Sequence, residues 1–334
     1  MSVTIKDIAQ KAGVSKATVS YVINNKQGVG EDTRKKVLKI VDELNYRPNT
    51  SARNLAGKKT KMLGLIIPDI TDMFYADIIS GVEYAANDFD YTLNLGTTHG
   101  EAERERLLAD YFSRGQVDGI ILMTYHLDID YIKQLKKRKS PFVFIGNPIE
   151  EQSIYTILVD NYEAGYKGTE YLIKLGHKNI AFIEGSSESW DAEERLKGYK
   201  DAIQDYSLSI NDIYIKNGEF IKERGYDLTI ELLNLNNPPS AVFAANDRMA
   251  IGACNAAHDL GVNVPDELSI LGVDDIEAGM HVVPPLTTIK QPSRQMGKKA
   301  VEILLQLLND RAPKKRKIML STELVERKTC ASYK

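Results

Sequence analysis

MSVTIKDIAQKAGVSKATVSYVIN, residues 1–24, reads as two short amphipathic helices joined by a glycine turn, the layout of a helix-turn-helix that enters the DNA major groove. Thr4 followed by Asp7 makes a capping-box-like start, and Ile5, Ile8 and Ala9 share one face at i, i+3, i+4 spacing. Gly13 stands where the chain must leave the first helix, since a residue without a Cβ takes a left-handed turn without steric cost. Ser15 is a second N-cap. Val19, Val22 and Ile23 face inward from the second helix, which leaves Lys16, Ala17, Ser20 and Tyr21 on the face a groove would meet. An ordinary helical hairpin does not require the joint agreement of cap, turn and both inward faces.

Residues 31–44 (EDTRKKVLKIVDEL) predict a third helix with Val37, Ile40, Val41 and Leu44 inward, closing a small all-α head over residues 1–46. Arg47-Pro48 breaks it. A linker at 47–60 follows, and its segment 49–57 (NTSARNLAG) has Asn49 or Thr50 as a cap, alanines inside and Gly57 as a stop. Nine residues are too few to hold a helix alone in water, where about 12–15 are marginal. This segment is therefore expected to be helical only when something holds it. Residues 1–60 carry 12 Lys and Arg against 5 Asp and Glu, whereas the remainder carries 31 against 41. A head with that excess suits a phosphate backbone, and an acidic body does not.

From residue 62 the pattern changes to short apolar runs alternating with longer helical stretches. Buried strands are expected at 62–67, 92–96, 119–123, 142–146 and 157–160, with helices near 74–89, 102–114 and 128–138. A second series places strands at 180–185, 213–217, 241–246 and 269–275, with helices near 162–175, 191–204, 222–234 and 247–260. A helix at 293–308 and an apolar-polar stretch near 317–326 complete the chain. Two such series imply an α/β core of two doubly wound parallel-sheet lobes. The first lobe is expected to take about 61–160 and 292–318, and the second about 161–290 and 319–330, of a core spanning 61–334. Ligands bind outside the carboxyl ends of such strands, so the crevice between lobes is the expected small-molecule site.

At 334 residues, 43% hydrophobic and 27% charged, the composition is that of a soluble globular protein. Two cysteines, Cys254 and Cys330, form neither a disulfide framework nor a zinc spacing and fit a reducing compartment. No apolar stretch approaches the roughly 20 residues that span a bilayer. The start has no signal-peptide pattern, so a cytoplasmic protein is expected. No metal site, cofactor motif or catalytic constellation is present: there is no G-x-G-x-x-G after the first strand, no P-loop, no H-E-x-x-H and no G-x-S-x-G. His177, in the turn LGHKNI, reads as structural.

Head, linker and two-lobed core together resemble the lactose-repressor (LacI/GalR) family of bacterial transcription regulators over essentially the whole chain. The resemblance is carried by TIKDIAQKAGVSKATVSYVIN, ELNYRPN…ARNLAG (43–57), IPDITDMFY (67–75), LIKLGHKNIAFIEG (172–185), ERLKGY (194–199), AANDRMAIGA (244–253), GVDDIE (272–277) and PPLTTIKQP (284–292). It implies a core of periplasmic-binding-protein-like architecture. It also implies base contacts from Lys16, Ala17 and Tyr21, phosphate positioning by Ser15, Thr18, Ser20 and Asn24, and a leucine wedge, Leu55 beside Arg53, in the central minor groove. Docking of Leu55 on the core is the other reading.

For the crevice, the resemblance implies Phe74 or Tyr75, Arg195, Phe220, Asn246, Asp274 and Gln291 as effector contacts, with Trp190 either covering the ligand or packing the lobe edge. Aromatic faces and hydroxyl-orienting Arg, Asn and Asp fit a neutral, hydroxyl-rich molecule. Asn246 and Asp274 could instead serve only as helix caps, and Arg195, beside Glu193 and Glu194, as a surface ion pair. Many family members place an acid after the FVFI strand, where this chain has Gly146 and Asn147; FVFIGNP is closer to the maltose-type and oligosaccharide-type branches. The helix QPSRQMGKKAVEILLQL lacks the pattern associated with catabolite-control proteins that bind a phosphorylated carrier. The stop at Lys334 without a heptad tail points to a homodimer, not a tetramer. The expectation is a repressor of a carbohydrate operon, released from a pseudo-palindromic operator by a sugar. A protein corepressor, a nucleobase or a phosphorylated metabolite is the alternative effector.

Overall fold

The computed structural model describes residues 3–46, 59–138, 140–149, 151 and 153–333. The chain divides into one unit ending at Thr60 and a second running from Lys61 to Lys334. The expected linker helix at 49–57, with Arg53 and Leu55, lies outside the described residues.

The first unit contains α1 (Ile5–Ala12), α2 (Lys16–Ile23) and α3 (Glu31–Glu43). Local chemistry sets their ends. Thr4 donates its backbone N–H (2.8 Å) and its hydroxyl (2.7 Å) to the Asp7 carboxylate, satisfying groups that a helix start leaves orphaned. Gly13 stops α1 at φ 67°, ψ 34°. Ser15 Oγ accepts the Thr18 N–H at 3.0 Å and starts α2. The inward residues meet in one cluster built on Ile8, Val19 and Val37, all fully buried, with Ala9, Ala12, Val22 and Ile40 around them. Ile23, Val41 and Leu44 pack partly buried at its edge.

In the second unit, β1 (Met62–Ile67), α4 (Met73–Asn87), β2 (Thr92–Thr97), α5 (Ala102–Tyr111), β3 (Gly119–Leu122), α6 (Ile129–Lys137), β4 (Phe142–Ile145) and β5 (Thr156–Val159) build one lobe. The second lobe follows with α7 (Asn161–Lys174), β6 (Ile180–Glu184), α8 (Trp190–Asp205), β7 (Ile215–Asn217), α9 (Lys222–Leu233), β8 (Ala241–Ala244), α10 (Asp247–Asp259), β9 (Ser269–Asp274), α11 (Glu277–His281) and β10 (Thr287–Lys290). The chain then returns to the first lobe for α12 (Ser293–Leu307) and β11 (Lys317–Leu320), and ends in the second with β12 (Glu323–Val325).

The first sheet has the order β11-β5-β4-β3-β1-β2 and is parallel throughout. The second has the order β12-β10-β9-β8-β6-β7, parallel except where β12 runs against β10. Helices cover both faces, so central strands are apolar on both sides: Leu63, Leu65, Ile66 and Ile67 of β1 are all fully buried. In each lobe the first strand lies between the second and the third. The strand order therefore reverses at β1/β3 and at β6/β8, and it is at such switch points that the loops part and leave a crevice.

Four details differ from the sequence reading. The first lobe extends past 318, since Met319 pairs with Leu158 and Leu320 with Val159. Ile213 and Tyr214 belong to a 3-10 turn (Asp212–Tyr214), which shortens β7. Helix α5 stops at Tyr111 and yields to a wide turn in which Gly115 takes φ 86°. A strand the sequence reading did not contain, β10, pairs with β9 and β12; only one of its four residues, Ile289, is apolar, and its buried threonines bond polar partners.

Candidate functional site

The head presents Lys16, Ala17 and Tyr21 as exposed residues of α2. The tyrosine ring lies 5.6 Å under the Lys26 ammonium. The residues assigned to phosphate positioning are engaged locally. Ser15 and Thr18 share a hydroxyl contact at 2.9 Å, and Asn24 donates to the Ser20 carbonyl at 2.6 Å. These bonds orient the start and end of α2 and leave its middle outward.

In the second unit a cavity of about 250 Å³ opens between the carboxyl ends of the two sheets. Its lining follows the switch points. Asp72, Phe74 and Tyr75 come after β1, and Tyr125 and His126 after β3. Ser186, Glu188, Ser189, Asp191 and Arg195 come after β6, and Asn246 after β8. Gly100, Phe220, Asp274 and Gln291 add the ends of β2, β7, β9 and β10. Of the eight effector residues named from sequence, the cavity brings together seven; Trp190, half-buried at the start of α8, is not among its described lining.

Arg195 is not a surface ion pair. It is 3% exposed, its Nε donates to Asn161 Oδ1 at 2.7 Å and its Nη1 to the Ala245 carbonyl at 2.5 Å. Its guanidinium stands 5.9 Å from the Phe220 ring centre, so cation and aromatic face are presented together. Phe220 adopts φ 59°, and a Cβ on Gly185 would lie 2.0 Å from its ring. Gly185→Ala should therefore displace Phe220 and weaken effector binding about tenfold or more while leaving the head folded. Calorimetry beside circular dichroism checks this.

Asn246 combines two tasks. Its Oδ1 caps α10 by accepting the Met249 N–H at 2.9 Å, and its Nδ2 donates to the Phe220 carbonyl at 3.3 Å. Asp274 does not cap a helix: it accepts from Gln291 Nε2 at 2.7 Å and sits at φ 127°. Burial is the first cause that raises its carboxyl well above the ordinary range, with Arg195 opposing. Behind it, fully buried Asp247 accepts the Ile276 N–H (2.9 Å) and the Thr288 hydroxyl (2.6 Å), fixing the loop that carries Asp274. Glu105, also fully buried, does the same opposite, accepting the N–H groups of Tyr125 (3.1 Å) and His126 (3.0 Å). His177 is structural: it contacts Ser240 Oγ and Ser269 Oγ, and burial lowers its basicity.

Sequence reasoning missed Asp72, Gly100, Tyr125, His126, Ser186, Glu188, Ser189 and Asp191. Two contacts made by these residues cross the cleft, Asp72 to Arg248 at 3.1 Å and His126 to Glu188 at 3.9 Å. Asp191 had a signal: it precedes Arg195 by four residues and shares its helix face.

Residues 4–49 match the group described as bacterial regulatory proteins of the lacI family, and residues 169–330 match a periplasmic binding protein-like domain. Catabolite control protein A of Priestia megaterium is 37% identical over 310 residues, 92% of this chain and 93% of that protein. The lac repressor dimer bound to operator and the anti-inducer ONPF superposes with a TM-score of 0.87 at 30% identity, covering 99% of this chain and 100% of that one. The complex of the transcriptional regulator CelR with cellobiose gives 0.75 at 29% identity, covering 98% and 99%. A DNA-reading head on a two-lobed, ligand-cleft core defines an effector-responsive regulator. The chain belongs to the lacI family of DNA-binding transcription repressors and is not an enzyme.

Proposed function

We propose that this repressor works as a homodimer in the cytoplasm and leaves a pseudo-palindromic operator when a sugar occupies the interlobe cleft, so that it governs a carbohydrate operon. The cleft carries this reading. Phe74, Tyr75 and Phe220 supply apolar faces for ring C–H surface, while Arg195, Asn246, Asp274 and Gln291 supply the donors and acceptors that fix hydroxyls. The similar structure of the transcriptional regulator CelR in complex with cellobiose supports the same chemistry.

On the DNA side, Lys16, Ala17 and Tyr21 read bases, and Ser15, Thr18, Ser20 and Asn24 position phosphates. Arg53 and Leu55 act at the central minor groove; their part rests on the resemblance alone. Three crossings join the lobes, at 159–161, 290–293 and 320–323. A ligand that draws the lobes together therefore alters the first lobe, from which the linker leads to the head. A coupling of about 2–3 kcal/mol would change operator affinity by tens to over a hundred fold.

Selection from a randomised duplex pool should return a two-fold-related sequence. Its affinity should fall steeply with salt, about a thousandfold between 50 and 200 mM if six or more phosphates are contacted. A flat salt profile would remove DNA as the partner of the basic head.

A further inference from the structure

Asp191 is among the cleft residues that the expected contact set leaves out, and its surroundings give it a direction. Arg195 Nε donates to Asn161 Oδ1, which commits the other end of that amide to donate, and Asn161 Nδ2 does so to Asp191 Oδ1 at 2.7 Å. One carboxylate oxygen is thereby fixed. The other, Oδ2, has no hydrogen-bond donor among the described residues and lies 3.9 Å from where a Cβ on Gly146 would stand. Gly146 follows β4 of the first lobe at φ 83°. The acid thus reaches from α8 of the second lobe toward the strand end of the first, across the space a ligand would fill. Burial pushes its carboxyl up to about 6, with Arg195 opposing.

The charges around it have a definite sign. Arg195 is held by protein acceptors and is shared electrostatically between Asp191 and Asp274. Arg248 is already paired with Asp72. Arg195 is the one Arg or Lys in the described lining and already faces Asp191 and Asp274, so a ligand gains by bringing a hydrogen-bond donor to Asp191 and loses by bringing a negative charge that no unmatched Arg or Lys offsets.

We propose that Asp191 is an effector-contacting residue that accepts a hydroxyl through Oδ2, and that the acid-rich cleft admits uncharged polyols while shutting out anionic ones such as sugar phosphates and uronates. This rests on the reading of the cleft as a sugar site and narrows it to a class.

The test uses the full chain, thermal-shift measurement and calorimetry with maltose, cellobiose, glucose, glucose 6-phosphate, glucuronate and hypoxanthine. Stabilisation is expected from one or more of the uncharged sugars and from neither anion. For the sugar that binds, Asp191→Ala should weaken affinity at least about tenfold, the loss of a hydrogen bond to a charged group. Asp191→Asn, which keeps an oxygen for Asn161, should remain folded and retain more affinity than the alanine variant. Binding of glucose 6-phosphate or glucuronate by the wild type overturns the charge argument but leaves a sugar effector standing. An unchanged affinity in Asp191→Ala overturns the contact. Response to hypoxanthine alone, or to no sugar, removes the sugar reading and this inference with it.

Discussion

Asp274→Gly should fold more stably than the parent protein and lose its response to effector. At φ 127° a side chain is strained and glycine is not; residues held in such sparsely populated regions cost about 1–3 kcal/mol. The substitution also removes a buried carboxylate. Because burial raises the folded-state pKa of Asp274 above the unfolded value of about 4, the parent loses stability relative to the variant as pH rises through that window. The gain in melting temperature should thus be larger at pH 8 than at pH 5. Gln291 loses the acceptor it holds at 2.7 Å, and a ligand hydroxyl would lose its orienting acid. Operator affinity without effector should be unchanged. A variant that melts lower, or that still responds to the parent's effector with undiminished affinity, contradicts a strained ligand-binding role.

Gly165→Ala should be among the most damaging substitutions in the second unit. A Cβ there would stand 2.0 Å from the Arg195 carbonyl oxygen, and on the partner helix a Cβ on Gly198 would stand 2.2 Å from that of Tyr162. Helices α7 and α8 cross backbone to backbone, and no side chain can yield. Forcing them apart should cost about 3 kcal/mol or more. It would also move Asp191 and Arg195, which α8 carries, so whatever protein folds should bind effector weakly. Gly261→Ala is the control. Gly261 has φ 70° but open space around it, so only the conformational cost of about 1 kcal/mol applies. Equal losses at the two sites, by chemical denaturation, would show that the close crossing is not what the glycine serves.

The parts legible in the sequence were those where one physical cause acts alone. Strands covered on both faces must be continuously apolar, so MLGLII and FVFI announced themselves. The head was legible because Thr4, Gly13 and Ser15 each act within a few residues of themselves. Strand β10 was hidden because Thr287 and Thr288 are buried as hydrogen-bonding groups, their partners lying about 40 residues away in sequence. Arg195 is expected in the crevice, and only its neighbours Glu193 and Glu194 open the alternative of a surface ion pair; helical periodicity turns those two away and keeps Asp191 and Arg195 together. Trp190, one position earlier on α8, is rotated about 100° from Asp191 and leaves the cleft for that reason. The Asp72–Arg248 contact joins residues 176 apart, and nothing local to either announces it.

The most direct test is the affinity of the full-length protein for its selected operator, by fluorescence anisotropy, with and without a saturating sugar that stabilises the fold. For the wild type the operator Kd should rise at least tenfold, and for Asp274→Gly it should not move. Equal operator affinity with and without the bound sugar in the wild type would contradict the coupling of cleft to head.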